Sequence, residues 1–159
     1  MNGEEITEDT FAEVATQVCL IREQMRAEGE TPASEFEVIC SVAFTYFLQE
    51  KCDIVILETG LGGRMDATNV INTPELAIIT SISKDHTELL GDTLEKIATE
   101  KAGIVKENGT VLLYPQKKEV EQVFESVCHA KNADLQKAIL PVGVSAYSSE
   151  GQTLSLIHI

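Results

Sequence analysis

The spacing of apolar side chains predicts two amphipathic helices in the first third of the chain. Between residues 6 and 28 they recur every three or four positions, which places them on one face of a helix. Gly29 then ends this helix. A second helix is predicted over residues 34–49, and Glu37 follows Ser34 by three residues, as in a capping box.

After residue 50 the pattern changes to short apolar runs that alternate with helical segments. Residues 53–57 and 76–82 are continuous, largely β-branched runs, as expected of strands buried on both faces of a parallel sheet. A third strand is predicted over residues 110–114, and helices over 93–106 and 117–131. This alternation predicts βαβ units and an α/β fold: a doubly wound, mostly parallel sheet with helices on both faces.

Composition narrows the class of protein. The chain has 159 residues, the size of one ordinary domain, and 43% are hydrophobic. Twelve Lys and Arg against 26 Asp and Glu give a net charge of −14, which argues against nucleic-acid and anionic-membrane partners. No apolar run approaches the roughly 20 residues that span a bilayer. None of the four cysteines has zinc-ligand spacing, so we expect buried, reduced thiols in a cytoplasmic protein.

Polar side chains follow two of the predicted strands. Glu58 comes directly after the run 53–57, and Asp85 and His86 follow the run 76–82. Ligands collect beyond the carboxyl ends of strands in open α/β sheets. A carboxylate and an imidazole at neighbouring strand ends could therefore share a divalent cation. The alternative is that Glu58 caps a loop and His86 is a surface residue.

The helix predicted over residues 93–106 carries a lysine on its apolar face. Asp92 and Glu95 are spaced as a capping box at its start, and Lys101 lies seven residues after Leu94 on the same stripe. Burial favours the neutral, nucleophilic amine of a lysine. The alternative is that Lys101 extends its amine to solvent.

Three stretches, in order, resemble the motifs of a known family. They are LETGLGGRMDATN at residues 57–69, DHTELLG at 85–91 and EKAGI at 100–104. Together they resemble folylpolyglutamate synthase and dihydrofolate synthase, members of the Mur ligase superfamily. The resemblance covers residues 1 to about 115. Its glycine-rich stretch is neither a P-loop nor a dinucleotide-binding pattern.

The resemblance implies an ATP-dependent ligase. In this family ATP phosphorylates the carboxylate of a pterin-bearing substrate, and the amine of L-glutamate then displaces phosphate from the acyl phosphate. The substrates implied for this chain are ATP, L-glutamate and dihydropteroate or a reduced folate, with Mg²⁺ as cofactor. We expect the parent protein to be cytoplasmic and monomeric.

The resemblance also implies roles for individual residues. Glu58 and His86 match ligands of a magnesium ion, and Lys101 matches a lysine that is carbamylated and helps to hold that metal. Two further stretches match the lining of the pterin pocket, with Phe36 as the stacking ring: Ser34, Phe36, Glu37, Met65, Asp66 and Ala67.

The family pattern also implies parts that lie outside this sequence. The ATP-binding P-loop and a magnesium-binding serine would precede it, and a smaller C-terminal domain would follow it. We therefore expect residues 1–153 to be a partial central ATPase domain that is inactive alone, with residues 154–159 as a non-native tail. The alternatives are a Mur-type ligase of peptidoglycan precursors, and a non-catalytic module that binds a pterin or a metal.

Overall fold

The computed structural model describes residues 3–139, 142–148 and 151–156, and it divides into two compact units. The first, here called the helical unit, runs up to Leu61 and includes Met65–Ile71. The second, the sheet unit, comprises Gly62–Arg64 and the chain from Asn72 onward. Within the described residues, no helix is long and apolar enough to cross a membrane.

The helical unit is built on the two helices that the sequence predicts. Helix α1 spans Glu8–Ala27 and α2 spans Glu35–Gln49, and the two pack against each other. The predicted capping box is confirmed: the Ser34 N–H donates to Glu37 Oε2 at 2.7 Å, and the Glu37 N–H donates to Ser34 Oγ at 3.3 Å. Such a box satisfies backbone donors that the first turn of a helix leaves unpaired.

The core of the helical unit is small. Val14 and Val18 of α1 and Val42 of α2 are buried together. The expectation of buried thiols is correct for Cys40 and wrong for Cys19, which is exposed because it lies outside this narrow valine contact. None of the four cysteines forms a disulfide bond; Cys128 is buried, as expected, and Cys52 is half-buried.

The strand expected over residues 53–57 does not form. These residues join no sheet, and the side chains of Ile54 and Ile56 are 83% and 92% exposed. An apolar run becomes a strand only when a neighbouring strand accepts its backbone hydrogen bonds. The described residues provide no such neighbour for this segment.

The sheet unit contains a three-stranded parallel sheet. Strand β1 spans Ala77–Ile79, β2 spans Thr110–Leu113 and β3 spans Asp134–Lys137, in the order β1-β2-β3. In register, Ala77 pairs with Val111 and Thr110 pairs with Asp134. This parallel sheet with its helices confirms the predicted α/β class. Sequence reasoning did not anticipate β3, which is short and largely polar.

Helices connect the parallel strands. After β1 come α3 (Thr87–Leu90), α4 (Leu94–Lys101) and a 3₁₀ turn (Ala102–Ile104), and α5 (Lys118–Ala130) joins β2 to β3. The capping residue of α4 is Thr93, whose side chain accepts from the Lys96 N–H, and not Asp92 as expected. Asp92 instead pairs with the Lys96 ammonium at 2.8 Å.

Two further strands follow. Strand β4 (Val142–Ser148) and strand β5 (Gly151–Leu156) pair antiparallel. The sequence analysis predicts neither of these strands. The boundary of the domain at residue 153 and the non-native character of residues 154–159 stay predictions, and residues 157–159 lie outside the described residues.

The core of the sheet unit lies between the sheet and helices α4 and α5, which contact each other. Phe124 of α5 is its largest fully buried side chain. The buried members are Ala77, Ile79, Ala98, Ala102, Val105, Val111, Leu113, Val120, Phe124 and Cys128.

Candidate functional site

The glycine-rich stretch of the helical unit is organised around one buried carboxylate. Asp66 is only 9% exposed. Its Oδ2 accepts from the Leu61 N–H at 2.8 Å, and its Oδ1 accepts from the Thr68 N–H at 2.9 Å and from the Thr68 hydroxyl at 2.6 Å. The Gly60 N–H also hydrogen-bonds to this carboxylate. Since a carboxylate accepts about four hydrogen bonds, the acceptor capacity of Asp66 is filled by its own loop.

These hydrogen bonds decide the charge state of Asp66. Burial alone would raise the pKa of this carboxyl group, but the Thr68 hydroxyl and the backbone donors together lower its pKa below the ordinary value of 3.8. Asp66 is therefore ionised at neutral pH. Its charge also reaches α2: the pKa of the Cys40 thiol is raised chiefly by burial and further by the negative Asp66.

The same loop supports the aromatic ring that was expected to stack on a pterin. Phe36, in the first turn of α2, lies so close to Gly60 that a Cβ atom at Gly60 would be 2.6 Å from Phe36 Cζ. Only glycine leaves room for this contact. The ring remains 44% exposed. A series of contacts thus joins the buried carboxylate of Asp66, through Gly60, to the accessible face of the Phe36 ring.

All six residues expected to line a pterin pocket belong to the helical unit, but their surroundings differ. Ser34 and Glu37 are engaged with each other in the capping box, and the Ser34 side chain lowers the pKa of the Glu37 carboxyl group. Met65 is strongly exposed and Ala67 is half-buried. Of the six, Phe36 and Met65 present the largest accessible apolar surfaces.

Of the three residues expected at a metal site, Glu58 lies in the helical unit, whereas His86 and Lys101 lie in the sheet unit. Glu58 is exposed. Lys101 is the last residue of α4 and is half-buried. This position is consistent with the predicted place of Lys101 on the inward stripe of the helix.

His86 occupies an unusual backbone conformation. It precedes α3 with φ 48° and ψ 39°, a left-handed geometry that few non-glycine residues adopt. The His86 N–H donates to Asp85 Oδ1 at 2.8 Å, and its Nε2 lies 3.7 Å from Asp85 Oδ2. Its side chain is 56% exposed. Non-glycine residues in this conformation cluster at functional sites, and Lys51, Asn108 and Asn132 share it with His86.

The donor chemistry of the three residues constrains any metal they could bind. Across residues 3–139 and the two later strands, no group of three or more His, Cys, Asp or Glu is placed to hold a metal. Glu58 offers carboxylate oxygens and His86 an imidazole nitrogen. The ammonium of Lys101 cannot bind a cation, and only conversion to a carbamate would give it ligand oxygens.

Sequence reasoning missed two features of the glycine-rich stretch. The first is the anchoring role of Thr68, although the spacing Asp66-x-Thr68 is typical of a turn in which a carboxylate accepts from the N–H two residues later. The second is the contact of Arg64 with Glu100, at an ion-pair distance of 3.0 Å within the sheet unit. No local pattern indicates a partner 36 residues away.

Comparison with known proteins gives a consistent result. The Mur ligase middle domain matches residues 5–145. The dihydrofolate synthase/folylpolyglutamate synthase of Bacillus subtilis (strain 168) is 39% identical over 137 residues, which cover 86% of this chain and 32% of that protein.

Solved structures agree with the sequence comparison. A Mycobacterium tuberculosis folylpolyglutamate synthase complexed with ADP and AMPPCP aligns with a TM-score of 0.77 at 31% identity, covering 96% of this chain and 36% of that one. A folylpolyglutamate synthase in complex with AMPPCP and folate aligns with a TM-score of 0.73 at 28% identity, covering 84% of this chain and 33% of that one. The chain thus spans about a third of the length of these relatives. Because the family match extends over most of its length, the chain belongs to the Mur ligase middle-domain family, alongside folylpolyglutamate and dihydrofolate synthases.

Proposed function

We propose that the chain is the middle part of an ATP-dependent ligase that adds L-glutamate to dihydropteroate or to a reduced folate. The observation that carries this proposal is the accessible Phe36 ring held against the Gly60 backbone. A flat heteroaromatic pterin stacks well on such a ring. The named relatives and the folate complex of one of them support the same substrate class.

The proposed reaction has two steps. The substrate carboxylate attacks the γ-phosphorus of ATP, so that a new O–P bond forms, ADP leaves and an acyl phosphate results. The amine of L-glutamate then attacks the acyl carbon and loses a proton, and the C–O bond to phosphate breaks. An amide and inorganic phosphate are the products. The ADP and AMPPCP complexes of relatives support ATP as the phosphoryl donor.

Mg²⁺ is part of this proposal, with Glu58 and His86 as its protein ligands. Both side chains are exposed enough to reach a ligand. The ion would neutralise phosphate charge, which a protein with a net charge of −14 otherwise repels. Because Mg²⁺ prefers oxygen, a set with one carboxylate and one imidazole needs further oxygen ligands.

Lys101 would supply such oxygens after carbamylation. In that step the neutral amine attacks the carbon of CO₂, a C–N bond forms, one C=O electron pair moves to oxygen, and the nitrogen loses a proton. The position of Lys101 supports this role, because it is half-buried at the end of α4 and its main chain packs against Gly63.

The proposal also concerns the whole protein. We expect the 159-residue chain to be inactive alone and the parent protein to be a cytoplasmic monomer. A Mur-type ligase of peptidoglycan precursors would share the chemistry but use a different acceptor. A module that only binds a pterin or a metal would show binding without turnover.

The test uses the full-length parent with ATP, Mg²⁺ and labelled L-glutamate, offered dihydropteroate, a reduced folate or a peptidoglycan precursor. We expect glutamate addition to one or both pterin acceptors, no addition in Lys101→Ala, and partial recovery when a small carboxylate is added. Lys96→Ala, on the exposed side of the same helix, is the control and should retain activity. Full activity of Lys101→Ala would refute the role of the lysine, and addition only to the peptidoglycan precursor would refute the substrate class.

A further inference from the structure

The end of helix α4 is held by a segment from a distant part of the sequence. Helices leave their last carbonyl groups without partners inside the helix. Here the Arg64 N–H donates to the Glu100 carbonyl at 3.0 Å. The Arg64 guanidinium also contacts the Glu100 carboxylate, with Nη2 to Oε1 at 3.0 Å and Nε to Oε2 at 3.4 Å. Arg64 therefore holds both the main chain and the side chain of the residue before Lys101.

Two glycines make this approach possible. A Cβ atom at Gly63 would lie 2.9 Å from the carbonyl oxygens of both Glu100 and Lys101. A Cβ atom at Gly103 would be 2.6 Å from the Arg64 nitrogen and would also clash with Arg64 Cα. These are contacts between backbones, so rotation of a side chain cannot relieve them. The main chain at Lys101 is thus packed directly against the Gly63 backbone.

Several contacts besides the Arg64–Glu100 pair fix this short turn. Gly63 is buried, and the Glu100 side chain is largely buried while its arginine partner reaches solvent. The following 3₁₀ turn closes through the Val105 N–H, which donates to the Ala102 carbonyl at 3.1 Å. One capping contact is enough to terminate a helix. The end of α4 is instead held at Glu100, before Lys101, and at Gly103, after it.

We propose that Gly63, Arg64 and Gly103 form a clasp that sets the position of the Lys101 side chain, with Arg64 as a positioning residue. This inference rests on the proposed function of Lys101. The clasp fixes the backbone from which the lysine extends, so that its amine meets CO₂ and, once carbamylated, its ligand partners in one orientation. Arg64 acts through Glu100 and has no contact with substrate in this role.

The experiment compares three variants of the clasp with two controls. Arg64→Gln removes the ion pair, Arg64→Lys retains a cation, and Gly103→Ala introduces the backbone clash. Lys96→Gln removes a different ion pair of α4, and Gly109→Ala adds a methyl group 3.2 Å from the Lys106 carbonyl oxygen. Circular dichroism confirms that each variant is folded before it is used.

The first readout is the Lys101 carbamate, detected by ¹³C NMR in the presence of ¹³C-bicarbonate and assigned by its loss in Lys101→Ala. We expect Arg64→Gln and Gly103→Ala to lower its occupancy about fivefold or more, Arg64→Lys to lower it less, and the controls to leave it unchanged. Unchanged occupancy in Arg64→Gln and Gly103→Ala would overturn the clasp.

The second readout does not depend on the proposed function. Reductive ¹³C-methylation gives the Lys101 amine its own NMR resonance, whose position reports its surroundings. We expect this resonance to shift in Arg64→Gln and Gly103→Ala and to stay in place in Lys96→Gln. If the wild-type chain forms no carbamate, the proposed role of Lys101 fails, but the clasp can still be tested. A shift of the Lys101 resonance in Arg64→Gln and Gly103→Ala would then support the clasp, and an unchanged resonance in both variants would overturn it.

Discussion

Replacing Asp66 with asparagine tests whether the buried carboxylate organises the glycine-rich loop. The carboxylate accepts from the Leu61 and Thr68 backbone N–H groups, from the Thr68 hydroxyl and from the Gly60 N–H. Asparagine retains one oxygen, but its NH₂ group would face donors on the other side. About two hydrogen bonds to a charged acceptor are then lost, each worth about 1.5–3 kcal/mol. Because the loop can partly recover contact with water, we expect a net loss of about 2–4 kcal/mol in the free energy of unfolding.

The pH dependence of this loss follows from the pKa of Asp66. The pKa is lower in the folded protein than the ordinary value of 3.8, so the unfolded chain binds the proton more readily. The stabilisation is therefore complete above the ordinary pKa of an aspartate and is lost as the pH falls through the folded value. The difference between wild type and Asp66→Asn should be largest near neutral pH and should shrink as the pH falls below the ordinary value of 3.8.

The assay is urea unfolding followed by circular dichroism at several pH values, with amide hydrogen exchange at Gly60 and Leu61 as a local measure. Asp53→Asn is the matched control, because Asp53 is an exposed aspartate of the same unit. The reasoning is refuted if the two variants unfold at the same urea concentration near neutral pH, or if the loss in Asp66→Asn does not depend on pH.

Two further substitutions test the packing. Phe124→Ala removes the largest fully buried side chain and should cost about 3–5 kcal/mol in urea unfolding, whereas Phe11→Ala at an exposed position of α1 should cost much less; equal losses would contradict the described core. Gly60→Ala places a methyl group 2.6 Å from Phe36 Cζ and should cost about 1–3 kcal/mol. The double variant Gly60→Ala/Phe36→Leu should lose much less stability than the sum of the losses in Gly60→Ala and Phe36→Leu. If the two losses simply add, the Phe36 ring does not contact Gly60.

Local patterns identified the features whose partners are near in sequence. The capping box of Ser34 and Glu37 spans three residues, so the sequence alone predicts it, and the structure confirms it. The amphipathic pattern of α5 likewise places Val120, Phe124 and Cys128 on one buried face. The cap of α4 was misplaced by one residue because Asp92 and Thr93 are both good capping residues, and only the pairing of Asp92 with Lys96 distinguishes them.

Features with distant partners depended on the tertiary structure. The run 53–57 has the composition of a buried strand, yet a strand exists only with a neighbour to pair with, and its isoleucines are exposed. Lys101 could be marked as a lysine on an apolar stripe, but its contacts with Gly63 and the neighbouring Arg64–Glu100 pair join residues 36 or more positions apart.

The sequence by itself determined the α/β class, the family and the residue types that carry candidate chemistry. Hydrophobic periodicity and short motifs record local preferences, and these are enough for that purpose. The tertiary structure decided which of those residues hold the loop and which are accessible to a ligand. The hydrogen-bond acceptors of Asp66 are occupied by donors of its own loop, whereas the Phe36 ring remains 44% exposed. The spacing of Asp66 and Thr68 indicates one of these hydrogen bonds, but the bond from the Leu61 N–H and the exposed fraction of the Phe36 ring depend on how the chain folds around them.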